Sequence, residues 1–286
     1  MSILTTEQFV DLMIKWGNFK ARCKSDFAKT EEAKRNEELR DKYKGKRCFI
    51  IGNGASIKNQ DLSLLADEIV FAVNGFYRYE KYYDAKPDFY CMVDPMLFES
   101  DIGDFLTGGI DKIKNAIHKP AFILPYSAKE NVHNNYKWDE WTSIYYIDGP
   151  MSFVENYTKE WDITKPVPAP QCVVQVAMLL ATFMGFKEIY LLGVEQTNII
   201  DDIEAYLGKT AKSYAYDNPD NEEEAYFQLV NETPLELTLR GYARIFQLYR
   251  EIYNYCIKKG VKVYNCTPKT LINSIPKKDF KSVFEK

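Results

Sequence analysis

Histidine is nearly absent from this chain: His118 and His133 are the only two in 286 residues. They lie far from each other and from every motif, so neither a His-based metal site nor a histidine general base is expected. Cysteine pairs at metal or redox spacing are missing as well. Cys23, Cys48, Cys91, Cys172, Cys256 and Cys266 form no CxxC, and three of them sit inside apolar, strand-like runs. They read as reduced core residues rather than a zinc site or a disulfide frame. No apolar run reaches the roughly 18 residues needed to span a bilayer. The N-terminus MSILTTEQFV lacks a basic region followed by an apolar core, so no secretory signal is expected. The expected location is the cytoplasm, where the sequons at Asn156, Asn231 and Asn265 carry no meaning. Excess positive charge is also missing: the net charge is −4, which argues against a nucleic-acid partner. There is no disorder-like bias and no internal repeat.

Tyrosine is abundant, with 21 residues. It offers stacking area and a hydroxyl, as base or sugar binding needs, although coding bias explains the excess equally well. The stretch that organises the chain is Arg47 to Ser56, RCFIIGNGAS. Cys48 to Ile51 reads as a buried strand that runs into the turn Gly52-Asn53-Gly54, with Ser56 as the cap of a following helix. Strand, glycine turn and helix together make a phosphate cradle in α/β proteins. The glycines let backbone N–H groups approach an anion. The run is neither the six-position dinucleotide fingerprint nor a Walker loop, because no Gly-Lys-Ser/Thr follows.

Residues 5–45 read as helix, with Phe9, Leu12, Met13, Trp16 and Phe19 at helical spacing. Past Lys20 the segment is highly charged and reads as a solvated face, with contact to a membrane surface or a partner subunit left open. Further strands are expected over 68–73, 87–93, 121–124, 143–147, 189–192 and 261–264. Helices are expected over 171–186 and 239–259. Residues 196–237 are polar, acidic and tyrosine-rich, and too long for an ordinary loop, so they read as a partly helical lid. Strands apolar on both faces and alternating with helices predict an α/β fold with a mainly parallel, Rossmann-like sheet covered on both sides. Ligands of such sheets bind at the carboxyl ends of the strands. That rule selects Gly52, Asn53, Gly54, Ala55, Ser56, Asn74, Asp94, Pro95, Gly193 and Glu195 as the nucleotide-binding candidates.

This ordered set, GNGAS, Asn74, Asp94-Pro95, the run Gly185 to Gly193 and the late run Tyr264 to Leu271, resembles the bacterial sialyltransferases of glycosyltransferase family 42. The same pattern is shared by a related family, the hydroxymethylpterin diphosphokinase MptE-like proteins, which includes motility accessory factors. The resemblance covers about residues 46–275. It implies a GT-A-like variant of the Rossmann-like fold. The implied organisation is a helical extension at 1–45, a nucleotide-binding domain at 46–195 plus 239–275, a lid at 196–238 and a tail at 276–286. It further implies a CMP-sugar donor held by Asn53, Gly54 and Asn74, with Asp94 where the sialyltransferases carry Asn. Ser213-Tyr214-Ala215-Tyr216-Asp217 resembles the lid stretch whose tyrosine contacts the donor phosphate, which makes Tyr214 a catalytic candidate.

The chain also departs from that pattern. The second phosphate tyrosine falls near Thr197, and the lid histidine that serves as general base is missing. Glu232 and Glu236 occupy its neighbourhood and become the candidate bases. The run that helps to hold the donor sugar is replaced by Pro170-Gln171-Cys172-Val173-Val174. The leading expectation is a metal-independent glycosyltransferase of lipopolysaccharide or capsule synthesis. It would need no cofactor and would pass a CMP-activated acidic sugar, sialic acid-like or Kdo-like, to a glycan or glycolipid acceptor. Gly54 and Ala55 N–H groups would stabilise the leaving phosphate. The rival is a Mg²⁺-dependent pterin diphosphokinase with Asp94 and Glu195 as metal ligands at adjacent strand ends, and a third reading is a non-catalytic nucleotide-binding protein. Homo-oligomerisation is left open.

Overall fold

The computed structural model describes residues 6–98, 112–153, 157, 159–209, 215, 228 and 230–285. Among these, nine strands form: β1 (Arg47–Ile51), β2 (Ile69–Val73), β3 (Phe89–Cys91), β4 (Ala121–Pro125), β5 (Ile144–Ile147), β6 (Met151–Ser152), β7 (Pro168–Ala169), β8 (Glu188–Leu192) and β9 (Lys262–Asn265). Seven of them make one sheet in the order β5-β4-β3-β2-β1-β8-β9, every pair parallel. Strands β6 and β7 pair separately. The chain steps from β1 outward to β5, then returns to lay β8 on the other flank of β1. The order therefore reverses between β1 and β8, the position where such sheets open a crevice at their carboxyl ends.

Both faces are buried, which is why the strands read as unbroken apolar runs. Cys48 and Ile50 face one layer, and Phe49 and Ile51 the other. The first layer is two long helices, α2 (Val173–Phe183) and α4 (Leu235–Lys258). Leu180 and Leu248 pack there with Ile50 and Ile189. The opposite face is covered by single-turn helices, among them 55–59, 62–65, 74–78 and 138–140. Aromatic side chains fill the space that long helices would take, with Tyr90 5.5 Å from Phe122 and Phe122 4.8 Å from Trp138 between ring centroids. This locates much of the tyrosine excess: Tyr77, Tyr82, Tyr90, Tyr190 and Tyr249 are core residues. The six cysteines are free, and four of them are buried.

Two segments differ from the sequence-based expectation. The helix expected over 5–45 ends at Lys24 as α1 (Thr6–Lys24). Beyond it, short helical turns carry Phe27, Ala33 and Leu39 into the core. Asn36 donates to the carbonyls of Tyr146 (2.7 Å) and Ile163 (2.6 Å). The charges of this stretch hid an apolar residue every six positions, and the body of the domain begins near residue 27. The second difference lies in the lid. Its described part contains α3 (Asn198–Tyr206), and α4 starts at Leu235, inside the span read as lid. Among the described residues, no helix is long and apolar enough to cross a membrane.

Candidate functional site

Strands β2, β1 and β8 end side by side, and their ends are tied together. Gly52 N–H donates to the Leu192 carbonyl (2.8 Å) and Gly54 N–H to the Gly193 carbonyl (3.0 Å). The approach is close enough that a Cβ on Gly52 would sit 2.4 Å from the Gly193 oxygen. Gly193 itself has φ +61°, a conformation that glycine adopts without strain. The expected cradle is therefore not free: the Gly54 amide is committed to β8 and is not a donor to a phosphate. Nor does a long helix follow. Residues 55–59 form one 3₁₀ turn, with Gly54 rather than Ser56 at its start.

Glu195 fills the hollow of this turn. It is 8% exposed, and its Oε1 accepts the Ser56 N–H at 2.8 Å. A Cβ on Gly54 would lie 1.3 Å from its Oε2. Strand β3, which precedes Asp94, is separated from β8, which precedes Glu195, by β2 and β1. Three strand spacings amount to about 14 Å. The two carboxylates therefore do not follow adjacent strands. Among the described residues, no group of three His, Cys, Asp or Glu is gathered for a metal ion. The donor set does not fit a Mg²⁺ ion held by the protein alone.

Asn53 and Asn74 are brought together. Asn53 Nδ2 donates to the Val73 carbonyl (3.2 Å), immediately before Asn74. Asn74 takes φ +42°, a region that asparagine tolerates better than most residues. Its carbonyl accepts the Tyr90 hydroxyl at 2.7 Å, and the same hydroxyl accepts the Tyr77 N–H at 2.8 Å. Among the described residues, Asn53 Oδ1, Ser56 Oγ, Asn74 Oδ1 and Glu195 Oε2 are all buried without a hydrogen-bond partner. Buried polar atoms are ordinarily paired, and of these four residues only Asn74 lines a cleft. The lid reaches this edge: Ala215 N–H donates to the Asn53 carbonyl (2.9 Å). Tyr214 lies outside the described residues.

From Asn74 a cleft of about 940 Å³ opens across the ends of β3, β4 and β5. Asp94 and Pro95 line it, whereas Asn53, Gly54, Ala55, Ser56, Gly193 and Glu195 do not. Gln171 and Cys172, from the run that departs from the sialyltransferases, form the wall where α2 begins. Residues of α3 and α4 also line it. There Tyr242 donates its hydroxyl to Asp202 Oδ2 at 2.8 Å, and Asp202 is only 9% exposed. Tyr206 ties α3 to the entry of α4 through the Thr233 carbonyl and the Thr238 hydroxyl. Glu232 and Glu236 are exposed and stand outside the cleft walls, with Glu232 accepting from Gln228 at 2.8 Å. The buried carboxylate of the cleft is thus Asp202, which sequence reasoning missed. Its partner lies 40 positions away, and only the crossing of α3 with α4 joins them. His118 and His133 pair with Asp88 and Asp139 away from the cleft.

A family model described as 6-hydroxymethylpterin diphosphokinase MptE-like matches residues 24–199. No curated protein matches the chain. Among solved structures, the chain is similar to the sialyltransferase CstII from Campylobacter jejuni, determined in complex with the substrate analogue CMP-3FNeuAc. The two are 19% identical with a TM-score of 0.46, over 81% of this chain and 86% of that one.

Proposed function

Since the chain belongs to the 6-hydroxymethylpterin diphosphokinase MptE-like family, we propose that it is a transferase that takes a nucleotide-activated donor and a hydroxyl acceptor in the cleft running from Asn74, Asp94 and Pro95 to α3 and α4. The observation that carries this reading is the make-up of one cleft. Asn74, whose buried amide oxygen meets no hydrogen-bond partner among the described residues, lines it. Asp202, held by Tyr242, lines it as well. The first is a recognition group and the second a proton acceptor, the two functions that transfer to a hydroxyl requires.

The donor is a CMP-activated acidic sugar. Support comes from the ordered run GNGAS, Asn74 and Asp94-Pro95. In this reaction the acceptor oxygen attacks the anomeric carbon. The bond to the phosphate oxygen breaks, CMP departs with the electron pair, and the acceptor proton passes to Asp202. Tyr214, next to the lid residue bound to Asn53, donates to the leaving phosphate as its charge builds. Closure of the lid excludes water, which otherwise consumes the donor. The corresponding setting is cytoplasmic assembly of surface glycans.

A second reading follows the family description: transfer of pyrophosphate from ATP to the hydroxymethyl group of a pterin. Magnesium would then enter with the ATP as part of the substrate. Thermal unfolding with CMP, CMP-sugar, ATP and hydroxymethylpterin, each with and without Mg²⁺, separates the two. A ligand at 100 times its Kd adds about 2.7 kcal/mol, and each kcal/mol moves Tm by roughly 2–4 °C at this size. A shift with CMP in the absence of metal, together with turnover of the CMP-sugar, is expected. A shift confined to Mg²⁺-ATP and the pterin overturns the glycosyl reading in favour of the second.

A further inference from the structure

Helix α1 is fastened by one side and bare on the other. Asn18 Nδ2 donates to the Ser152 carbonyl (2.8 Å), and Ser152 N–H donates back to Asn18 Oδ1 (2.9 Å). Just past the helix, the Ser25 hydroxyl donates to Asp148 (2.5 Å). About half a helical turn from Asn18, Leu12, Met13, Trp16 and Phe19 make one stripe. All four are more than half exposed: 54%, 52%, 51% and 58%. Trp16 and Phe19 stack on each other at 5.9 Å between centroids, so the stripe is ordered without being covered. Two large aromatics held in water on the same helix face need an occupant.

The charges around the stripe identify that occupant. The last ten residues of α1 hold four basic residues, Lys15, Lys20, Arg22 and Lys24, after two acidic ones, Glu7 and Asp11, nearer its start, in a chain of net charge −4. At 3.6 residues per turn, Lys15 and Arg22 border one side of the stripe, and Lys20 and Lys24 the other. Lys20 Nζ lies 4.9 Å over the Trp16 ring. In a parallel pairing of two α1 helices, the basic borders of one copy would meet those of the other, a like-charge arrangement that opposes association. An anionic lipid surface satisfies both parts. Its headgroups neutralise the borders, and its acyl boundary takes Leu, Met, Trp and Phe. Tryptophan favours that depth because its ring is apolar and its N–H polar.

We infer that the α1 face bearing Leu12, Met13, Trp16 and Phe19 is an interfacial anchor for anionic bilayers. The anchor is independent of the donor and of the reaction. Asp148, to which Ser25 is bound, and the neighbouring Gly149 and Pro150 line the cleft, so the anchor helix is joined to the cleft wall.

Flotation of the full chain with vesicles tests this. Binding is expected with phosphatidylcholine vesicles that contain phosphatidylglycerol, and not with phosphatidylcholine alone. It should weaken as salt rises, because exposed charges are screened. Lys20→Gln and Lys24→Gln should each lower partitioning about fivefold. The double change Trp16→Glu with Phe19→Glu should abolish binding, while circular dichroism and Tm stay at wild-type values because both residues are exposed. Failure of the wild-type chain to float with anionic vesicles overturns the inference. So does flotation that the double variant leaves intact. Light scattering gives a third overturning outcome: a dimer that the same double variant dissolves would show that a second copy covers the stripe.

Discussion

At Gly54 the fold leaves room for a hydrogen atom and nothing larger. The reason is Glu195, whose carboxylate sits where a Cβ would project and accepts the Ser56 amide. Gly54→Ala must push a buried carboxylate off its donor, which costs about 1–3 kcal/mol. A drop in Tm of several degrees is expected by calorimetry, partly restored when Glu195→Ala is added to the same variant. Equal losses in the single and double variants would exclude Glu195 as the obstacle. Asp202 is the other decisive residue. If it accepts the acceptor proton, Asp202→Asn should lower kcat by a factor of about 10²–10⁴ and leave nucleotide affinity unchanged. Tyr242→Phe should do less, because it removes one hydrogen bond to the carboxylate and not the carboxylate itself. Steady-state kinetics alongside nucleotide titration reads both quantities.

Among elements, the stretch from residue 27 to β1 is where a charged sequence became structure. Its outer contact is an ionic cluster: Asp162 accepts from Arg40 Nη2 (2.8 Å), Lys165 Nζ (2.8 Å) and the Thr164 hydroxyl (2.7 Å). Burial pushes the Asp162 carboxyl upward, but the hydrogen bonds from Lys165, Thr164 and Arg40 outweigh it and hold the pKa at about 2. A carboxyl depressed in the folded state below its ordinary value near 3.8 contributes stability that is fully present above that value. The contribution fades as pH falls toward 2. Denaturant unfolding between pH 5 and 2 should show that loss in the wild-type chain. Asp162→Asn should be less stable at neutral pH and flatter across the acid range. An unchanged acid slope in the variant would remove Asp162 from the account.

For the whole molecule, the boundary near residue 27 makes two truncations differ in kind. Removing residues 1–24 deletes a helix held mainly through Asn18 and should leave a folded protein. Removing residues 1–45 strips Phe27, Ala33 and Leu39 from the core along with both hydrogen bonds of Asn36. Phe27 and Leu39 alone represent about 1.5–3 kcal/mol each, against a total of about 5–15 kcal/mol. The shorter chain should therefore lose its cooperative unfolding transition, as followed by circular dichroism, while the longer one keeps it. The same scale explains the cleft. Its walls run from Asn74 to Ile245, and they meet because the sheet order places late helices over early strands.

The sequence by itself determined the parallel sheet, because strands buried on both faces need unbroken apolar runs such as Cys48–Ile51 and Ile189–Leu192. That is a local demand, written in neighbouring residues. The Gly193 carbonyl, which a Cβ on Gly52 would meet at 2.4 Å, is brought there only by the fold. The tertiary structure alone decided that Glu195 fills the Gly54 hollow and that the Gly54 amide is spent on Gly193. It also decided that Asp202 rather than Glu232 or Glu236 reaches the cleft. Each of those outcomes depends on which segments meet in space. Burial sorted the tyrosines in the same way, sending many to the core and leaving Tyr126 and Tyr242 on the cleft wall. Helical periodicity marked Leu12, Trp16 and Phe19 as one face. Only the docking of Asn18 on Ser152 decided that this face points to solvent, because a helix fixed by its polar side presents the opposite side outward.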